Sequence, residues 1–122
     1  TDIYILGATG TRMDHTITNI GNMKVVADCG KDCHIVDEHN YIYLLSEADG
    51  IHIIRKDSQY GRYVSIIPMS ENVSLSLEGF KYTLDNYKLK QGLSICQSNE
   101  VEDEQGIIKV HKGLIIVLET KD

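Results

Sequence analysis

Val73-Ser74-Leu75-Ser76-Leu77 alternates apolar and polar residues at every position. Because successive side chains of a β-strand point to opposite faces, this stretch predicts a strand with one buried and one solvated face. Similar short runs, rich in β-branched and aromatic residues and separated by turn signals, lie at 34–37, 41–45, 51–54, 63–67, 93–96, 107–110 and 114–118. Many short strands at even spacing indicate a mainly β domain, either a sandwich or a barrel.

The start of the chain has a different pattern. Residues 2–6 are a β-type run that Gly7-Ala8-Thr9-Gly10 ends at once, and apolar residues then recur every three or four positions. This pattern predicts a strand, a tight turn and a helix over 13–28. Thr11, with Asp14 three places on, predicts a capping box at the start of the helix.

The end of this helix suggests where one domain gives way to another. Gly30 is placed to take the left-handed conformation that closes many helices. A strand-turn-helix unit normally belongs to a parallel sheet of several strands, covered on both faces. We therefore expect residues 1–31 to be the last strand and helix of an α/β domain whose other strands lie upstream, and residues 32–122 to form the β domain.

Composition narrows the class of protein. Hydrophobic residues make up 42% of the 122 residues and charged residues 25%, which is typical of a folded globular protein. The formal net charge of −6 argues against a nucleic-acid partner, since such proteins usually carry a basic surface. No apolar run has the length of a membrane helix, and the first residues do not resemble a signal peptide, so we expect a soluble protein without a membrane partner.

The three cysteines bear on the cellular compartment. Cys29, Cys33 and Cys96 are an odd number in a chain with no export signal, which predicts free thiols and a cytoplasmic protein. Cys29, Cys33 and His34 lie close enough in sequence to suggest a zinc site, but a fourth ligand and the usual paired spacing are missing. The alternative is that the two cysteines are small buried apolar residues.

The glycine-rich turn is a candidate anion site. Backbone N–H groups at the start of a helix attract anions, and Arg12 would add a fixed positive charge. Asp14 and His15 lie in the same first turn, where a carboxylate could face a metal or a hydroxyl group. A tight turn between strand and helix would explain the glycines equally well, with Asp14 as a helix cap and His15 as a surface residue.

A resemblance to a known family accounts for this turn. Gly7-Ala-Thr-Gly-Thr-Arg-Met-Asp-His-Thr-Ile-Thr-Asn-Ile20 resembles the Gly-Ala-x-Gly-Gly-Arg-x-Asp-His-x-x-x-Asn-Ile block of thiamine pyrophosphokinases. The segments 35–45, 77–84 and 92–100 resemble later blocks of bacterial members in the same order and spacing. Two departures stand out. Thr11 replaces the second glycine of a pair, and Thr83 stands where bacterial members often have proline.

The resemblance implies a fold and a reaction. The fold is an antiparallel β-sandwich that binds thiamine, preceded by the end of the catalytic domain. The reaction transfers pyrophosphate from ATP to thiamine, giving thiamine diphosphate and AMP, with Mg²⁺. By analogy the phosphates meet Gly7, Gly10, Thr11 and Arg12. The catalytic residues are Arg12, Asp14 and His15, and Asp14 would also lie at the metal.

The resemblance also places thiamine in a pocket of the sandwich, across the interface of a homodimer. Ser98 and Asn99 match the family's Ser-Asn motif, Glu100 could favour the thiazolium cation, and Tyr82 could contact it through its ring. A polar turn at 98–100 and a packing role for Tyr82 are the structural alternatives. We expect residues 1–122 alone to be inactive, because the family's acidic magnesium ligands lie upstream. A non-catalytic thiamine-binding or dimerisation module is the alternative function.

Overall fold

The structure, a computed structural model, describes residues 2–7, 9, 12–92 and 95–122. It is mainly β with one long helix, as the sequence predicted, and the helix has the predicted bounds. The elements in chain order are β1 (Asp2–Leu6), α1 (Met13–Asp28), β2 (Asp32–Val36), β3 (Asn40–Ser46), a 3-10 helix (Glu47–Asp49), β4 (Ile51–Arg55), β5 (Tyr63–Pro68), β6 (Val73–Glu78), β7 (Leu84–Leu89), β8 (Gln105–Lys112) and β9 (Leu114–Thr120).

The strands form two sheets of a β-sandwich. Sheet A has the order β1-β2-β3-β9-β5 and sheet B the order β4-β8-β6-β7. The pairing of β1 with β2 is parallel, and the pairings of the other strands are antiparallel. The antiparallel sandwich predicted for residues 32–122 is therefore confirmed.

Two apolar clusters hold three layers together. The larger lies between the sheets and includes Leu75, Ile108 and Val117, while the smaller lies between the helix and the outer face of sheet A, around Met23 and Ile116. β9 lies between both clusters, so both of its faces are buried. This explains why the run 114–118 is apolar throughout, whereas β6 alternates.

The two ends of α1 differ from each other. At the start, Arg12 is the N-cap residue and its side chain makes no capping bond, while the capping box of Thr11 and Asp14 stays a prediction. Thr11 itself lies outside the described residues. At the end, Gly30 has φ +78° and its N–H donates to the carbonyl of Ala27, while Lys31 N–H donates to Val26, which is the Schellman closure expected there.

The strands differ from the prediction at two places. In the predicted strand 93–96, Leu93 and Ser94 lie outside the described residues, and Ile95 and Cys96 lie in a turn. Conversely, β7 was not predicted, because its sequence, Leu-Asp-Asn-Tyr-Lys-Leu, lacks a β-type run. It forms an edge strand on β6 with an irregular register, where Asn86 has φ +44°. Pairing with β6, not local propensity, explains this strand.

Sheet A continues through the predicted domain boundary at residues 31 and 32. β1 pairs with β2 over its whole length, from Asp2 opposite Asp32 to Leu6 opposite Val36. α1 also packs on β2 and β3. The division into residues 1–31 and 32–122 stays a prediction. Within the described residues, no helix combines the length and the apolar character needed to cross a membrane.

Gly79 provides a test of the joint between β6 and β8. It has φ +75°, and a Cβ there would overlap the carbonyl oxygen of Gln105. We expect Gly79→Ala to lower the free energy of unfolding by about 3 kcal/mol, through backbone strain and overlap together. Gly92 is the matched control, because it has φ +85° and no described atom lies within 4 Å of its Cβ position.

For Gly92→Ala we expect a loss of about 1 kcal/mol from backbone strain alone. The measurement is urea unfolding of both variants followed by circular dichroism. Equal losses for the two variants would contradict the close contact between Gly79 and Gln105.

Candidate functional site

Both groups of candidate residues lie near one end of sheet A. A transverse row crosses the sheet at this end, in which the residues are paired in register: Leu6, Val36, Tyr41, Glu119, Val64 and, beyond the edge of β5, Asn99. The chain leaves β1 at one end of this row and enters α1. The Ser98-Asn99 segment lies at the other end.

The helix-start group consists of Arg12, Asp14 and His15. A guanidinium nitrogen of Arg12 lies 2.5 Å from Asp14 Oδ2, and the backbone N–H of His15 donates to Asp14 Oδ1 at 2.9 Å. All three residues are exposed. The group therefore presents a positive charge and the positive end of a helix, which attract anions, beside a carboxylate that is paired with Arg12.

The glycine-rich turn before this helix is described only in part. Gly7 has φ +68°, in the left-handed region that favours glycine, while Gly10 and Thr11 lie outside the described residues. The hydroxyl of Thr9 donates to Asp37 Oδ2. The turn is thus attached to the loop that follows β2.

Asp37 was not singled out as a site residue from the sequence. It accepts hydrogen bonds from the hydroxyl of Thr9, the backbone N–H groups of His39 and Asn40, and the Asn40 amide. Burial acts to raise its pKa, but these hydrogen bonds outweigh burial and lower it. An aspartate that begins a turn with asparagine three places on is a typical turn signature, and this was the available signal.

Asn99 is buried and acts as a clamp between the two sheets. Its backbone exchanges hydrogen bonds with Val64 of β5, at 2.8 and 2.9 Å. Its side-chain oxygen accepts from the N–H groups of Tyr82 and Glu100, and its amide nitrogen donates to the carbonyl of Tyr82 at 2.8 Å. The side chain thus holds the backbone around Tyr82, next to the Phe80–Val101 bridge on the side of sheet B.

Ser98 is held by this clamp and is itself exposed. It has φ +57°, and its N–H donates to the hydroxyl oxygen of Ser65 at 2.9 Å. It borders a cleft of about 520 Å³ on the outer face of β5 and β9, which Ile67, Leu118 and Thr120 also line. The predicted polar turn at this position is therefore present and opens on a cavity large enough for a small molecule.

Glu100 and Tyr82 complete the Ser98 group. Arg62 donates to Glu100 Oε1 at 2.8 Å, and this hydrogen bond, with the charge of Arg62, lowers the pKa of Glu100 despite an opposing effect of desolvation. The ring of Tyr82 is 60% exposed, and Lys81 Nζ lies 5.7 Å from its centroid. The group thus combines a carboxylate that stays ionised with an uncovered aromatic ring.

Sheet A keeps the two groups apart within one chain. β1 and β5 are its opposite edges, four strand spacings or about 19 Å from each other. Among the described residues, no hydrogen bond or ion pair joins Arg12, Asp14 or His15 to the Ser98 group. Exposed apolar side chains adjoin both groups: Met13 and Ile17 beside the first, and Ile67 and Ile95 beside the second.

The described residues do not form the suggested zinc site. Cys33 is buried between sheet A and α1, Cys29 is exposed at the end of the helix, and all three cysteines are free. His34 follows Cys33 in β2 and points to the opposite face, where it stacks on Tyr4. In the described part of the chain, no three His, Cys, Asp or Glu side chains are close enough to hold a metal ion.

Known proteins resemble this chain in sequence. Residues 51–115 match the family model of the thiamin pyrophosphokinase vitamin B1 binding domain. The chain is 35% identical over 121 residues to a thiamine pyrophosphokinase of Bacillus subtilis, covering 98% of this chain and 55% of that protein. It also resembles a thiamin pyrophosphokinase 1 of Caenorhabditis elegans, with 25% identity over 99% of this chain and 50% of that protein.

Solved structures show the same fold. A crystal structure of the Bacillus subtilis enzyme superposes with a TM-score of 0.90 at 34% identity, over 99% of this chain and 56% of that one. The thiamin pyrophosphokinase of Geobacillus thermodenitrificans gives a TM-score of 0.85 at 32% identity, over 99% of this chain and 54% of that one. The chain spans about half the length of these relatives.

The clamp predicts a large effect of changing Asn99. Asn99→Leu keeps the approximate volume of the side chain but removes the partners of three backbone groups, at Tyr82 and Glu100. Because buried polar groups without partners are unfavourable, we expect the free energy of unfolding to fall by about 3 kcal/mol. Gln97→Leu, at an exposed position, should change it by less than about 0.5 kcal/mol. Urea unfolding measures both, and equal effects would contradict the clamp.

Proposed function

Because the chain belongs to the family of the thiamin pyrophosphokinase vitamin B1 binding domain, we propose that the protein containing it transfers a pyrophosphoryl group from ATP to the hydroxyethyl oxygen of thiamine. The products are thiamine diphosphate and AMP. The observation that carries this proposal is the cleft that Ser98 borders, next to the buried and hydrogen-bonded Asn99 within the matched segment. Free thiols at all three cysteines support a cytoplasmic location.

The helix-start group suits the phosphate end of the reaction. Phosphoryl transfer requires little covalent chemistry from the protein. Catalysis therefore depends mainly on positioning the reactants and on neutralising the negative charge of the transferred group. Arg12 can take phosphoryl oxygens through its fork of N–H donors, and the start of α1 adds its positive end. His15 and the turn at Gly7, Gly10 and Thr11 would border the same phosphates.

Asp14 is the residue of this group that would hold Mg²⁺. Its carboxylate is an oxygen ligand of the kind Mg²⁺ prefers, it is exposed, and it lies beside the residue that would bind phosphate. Mg²⁺, when bound, neutralises charge on the transferred group. Asp14 is paired with Arg12 in the structure, so binding would exchange this ion pair for contacts of Asp14 with metal and of Arg12 with phosphate.

The Ser98 group suits thiamine. Its cleft combines the hydroxyl of Ser98 with apolar walls at Ile67 and Leu118, as expected for a pyrimidine ring with polar edges. Glu100 supplies a negative charge for the thiazolium cation, and Tyr82 supplies a ring face for the same cation. Asn99 acts on the ligand by fixing Ser98 and Tyr82, since its side chain is bonded to backbone groups.

A homodimer would bring the two groups together. Each group is bordered by exposed apolar side chains, Met13 and Ile17 on one side and Ile67 and Ile95 on the other, which a second copy could cover. A two-fold interface contains each contact twice, so it would form two equal sites. Each site would take Arg12 and Asp14 from one copy and Ser98 from its partner.

Product analysis of the intact protein tests the activity. With ATP, Mg²⁺ and thiamine we expect AMP and thiamine diphosphate in equal amounts. Arg12→Gln should lower kcat by about 100-fold, since it removes the positive charge of Arg12 that would neutralise the transferred group. Ser98→Ala should mainly raise the KM for thiamine. Thiamine binding without any product would instead identify a non-catalytic binding module, and formation of ADP would overturn the proposed reaction.

Mixing variants tests the shared site. Refolding Arg12→Gln together with Ser98→Trp, each nearly inactive alone, should restore about a quarter of the wild-type rate, because half of the dimers are mixed and each mixed dimer has one intact site. A single chain that carries both substitutions, mixed with wild type, is the control for exchange of subunits. No recovery in the mixture, despite proven exchange, would place the whole site in one copy.

A further inference from the structure

A second cavity lies on the inner face of sheet A, and its lining shares no residue with either candidate group. It has a volume of about 450 Å³ and opens between β2 and β3 on one side and β4 on the other, with the loop before β5 as a third wall. Its lining includes Tyr41, His52, Gln59, Tyr60 and Glu119. This volume is in the range of small-molecule sites.

Glu119 is the most unusual residue of this cavity, since it is a carboxylate that is only 5% exposed. Its Oε2 accepts from the hydroxyl of Tyr43 at 2.7 Å, while its Oε1 has only a long contact of 3.4 Å from the N–H of Tyr60. Among the described residues no ion pair involves Glu119. A buried carboxylate without a neighbouring cation is unfavourable. Oε1 of Glu119 is therefore available to a positively charged ligand.

The hydrogen bonds behind Glu119 do not supply a positive charge. Burial, and then the negative charge of Glu119, raises the pKa of Tyr43, so its single proton stays in place and bonds to Glu119. The oxygen of Tyr43 therefore accepts from His52 Nε2, 2.9 Å away. Burial also lowers the pKa of His52, so this ring is neutral near pH 7.

A second acceptor and two aromatic rings complete the cavity. Gln59 Oε1 is buried and has no hydrogen-bond partner within the described residues. The rings of Tyr41 and Tyr60 lie 5.8 Å apart, and their hydroxyl groups are bonded elsewhere, to His34 and to the carbonyl of Asp37. Both rings line the cavity, and these hydrogen bonds hold them in place.

Two cationic side chains, Lys121 and Arg55, lie near this cavity, and Lys121 contacts one of its rings. Lys121 Nζ lies 4.5 Å from the ring centroid of Tyr60, which is within the range of a cation–π contact. Arg55 borders the mouth of the cavity and is exposed, and in the described part of the chain it makes no ion pair with Glu119. Among the described residues, Gln59 Oε1 therefore has no donor, and Glu119 Oε1 has only the long contact from Tyr60.

We propose that this cavity, centred on Glu119 and Gln59, binds a small organic cation that carries N–H donors, such as an amidinium or a primary ammonium compound. The positive charge meets Glu119 Oε1, an N–H group donates to Gln59 Oε1, and the apolar part lies against Tyr41 and Tyr60. Anions of the same shape are excluded by the carboxylate, and neutral compounds with N–H groups gain the hydrogen bonds and the apolar contact but lack the charge attraction to Glu119.

Titration of the intact protein with benzamidinium tests this site, observed through the NMR signals of the tyrosine rings. We expect saturable binding with a Kd of about 1 mM, and binding at least tenfold weaker for benzamide and benzoate, which are the neutral and anionic compounds of similar shape. Failure of benzamidinium to saturate, or equal binding of the three compounds, would overturn the proposal.

Variants locate the binding. Glu119→Gln should weaken the binding of benzamidinium at least tenfold, and Gln59→Met about threefold, because they remove the charge and the second acceptor. Glu102→Gln and Gln97→Met make the same changes at exposed positions and should leave the Kd unchanged. Should Glu119→Gln fail to fold, Gln59→Met decides on its own, and wild-type affinity in that variant would overturn the proposal. These readouts do not depend on pyrophosphoryl transfer.

Discussion

The register of β9 determines the position of almost everything else in this fold. β9 pairs along its length with β3, from Asn40 opposite Thr120 to Ser46 opposite Leu114, and on its other side with β5. A slip of one residue would turn Glu119 outward and Leu118 inward, and would exchange the contents of the two apolar clusters. The burial of both faces of β9 makes such a slip unfavourable, so the transverse row from Leu6 to Asn99 is fixed.

This row explains how two surface groups can be positioned by one sheet. The start of α1 follows from where β1 ends, and the position of Ser98 follows from the pairing of Asn99 with Val64. Asn99 also bonds to the backbone at Tyr82, on the side of sheet B, so the same residue links the two sheets and presents Ser98 to the cleft. The candidate thiamine cleft is therefore tied to the packing of the sandwich.

Much of the fold could be predicted from local patterns. The bounds of α1 followed from its apolar period and from Gly30, and β6 followed from its alternation. Local pattern failed at two places because tertiary contacts determine the structure there. β7 is polar and depends on its pairing with β6. The turn at Ile95 and Cys96 is apolar because Cys96 is buried. Among the candidate site residues, Ser98 was chosen through the resemblance and Glu100 as its acidic neighbour, since serine and glutamate are common on surfaces and do not stand out by themselves. The clamping role of Asn99 and the hydrogen bond from Thr9 to Asp37 join segments that are distant in the chain, which a sequence without its fold does not reveal.

The central claim is that the helix-start group and the Ser98 group of different copies act on one thiamine molecule. A crystal structure of the intact protein with thiamine and an ATP analogue that cannot transfer its pyrophosphate tests this claim most directly. We expect thiamine in the Ser98 cleft of one copy, with its hydroxyethyl group directed at phosphates held by Arg12 and Asp14 of the other. Thiamine bound between Arg12 and Ser98 of the same copy, or bound away from the cleft, would contradict it.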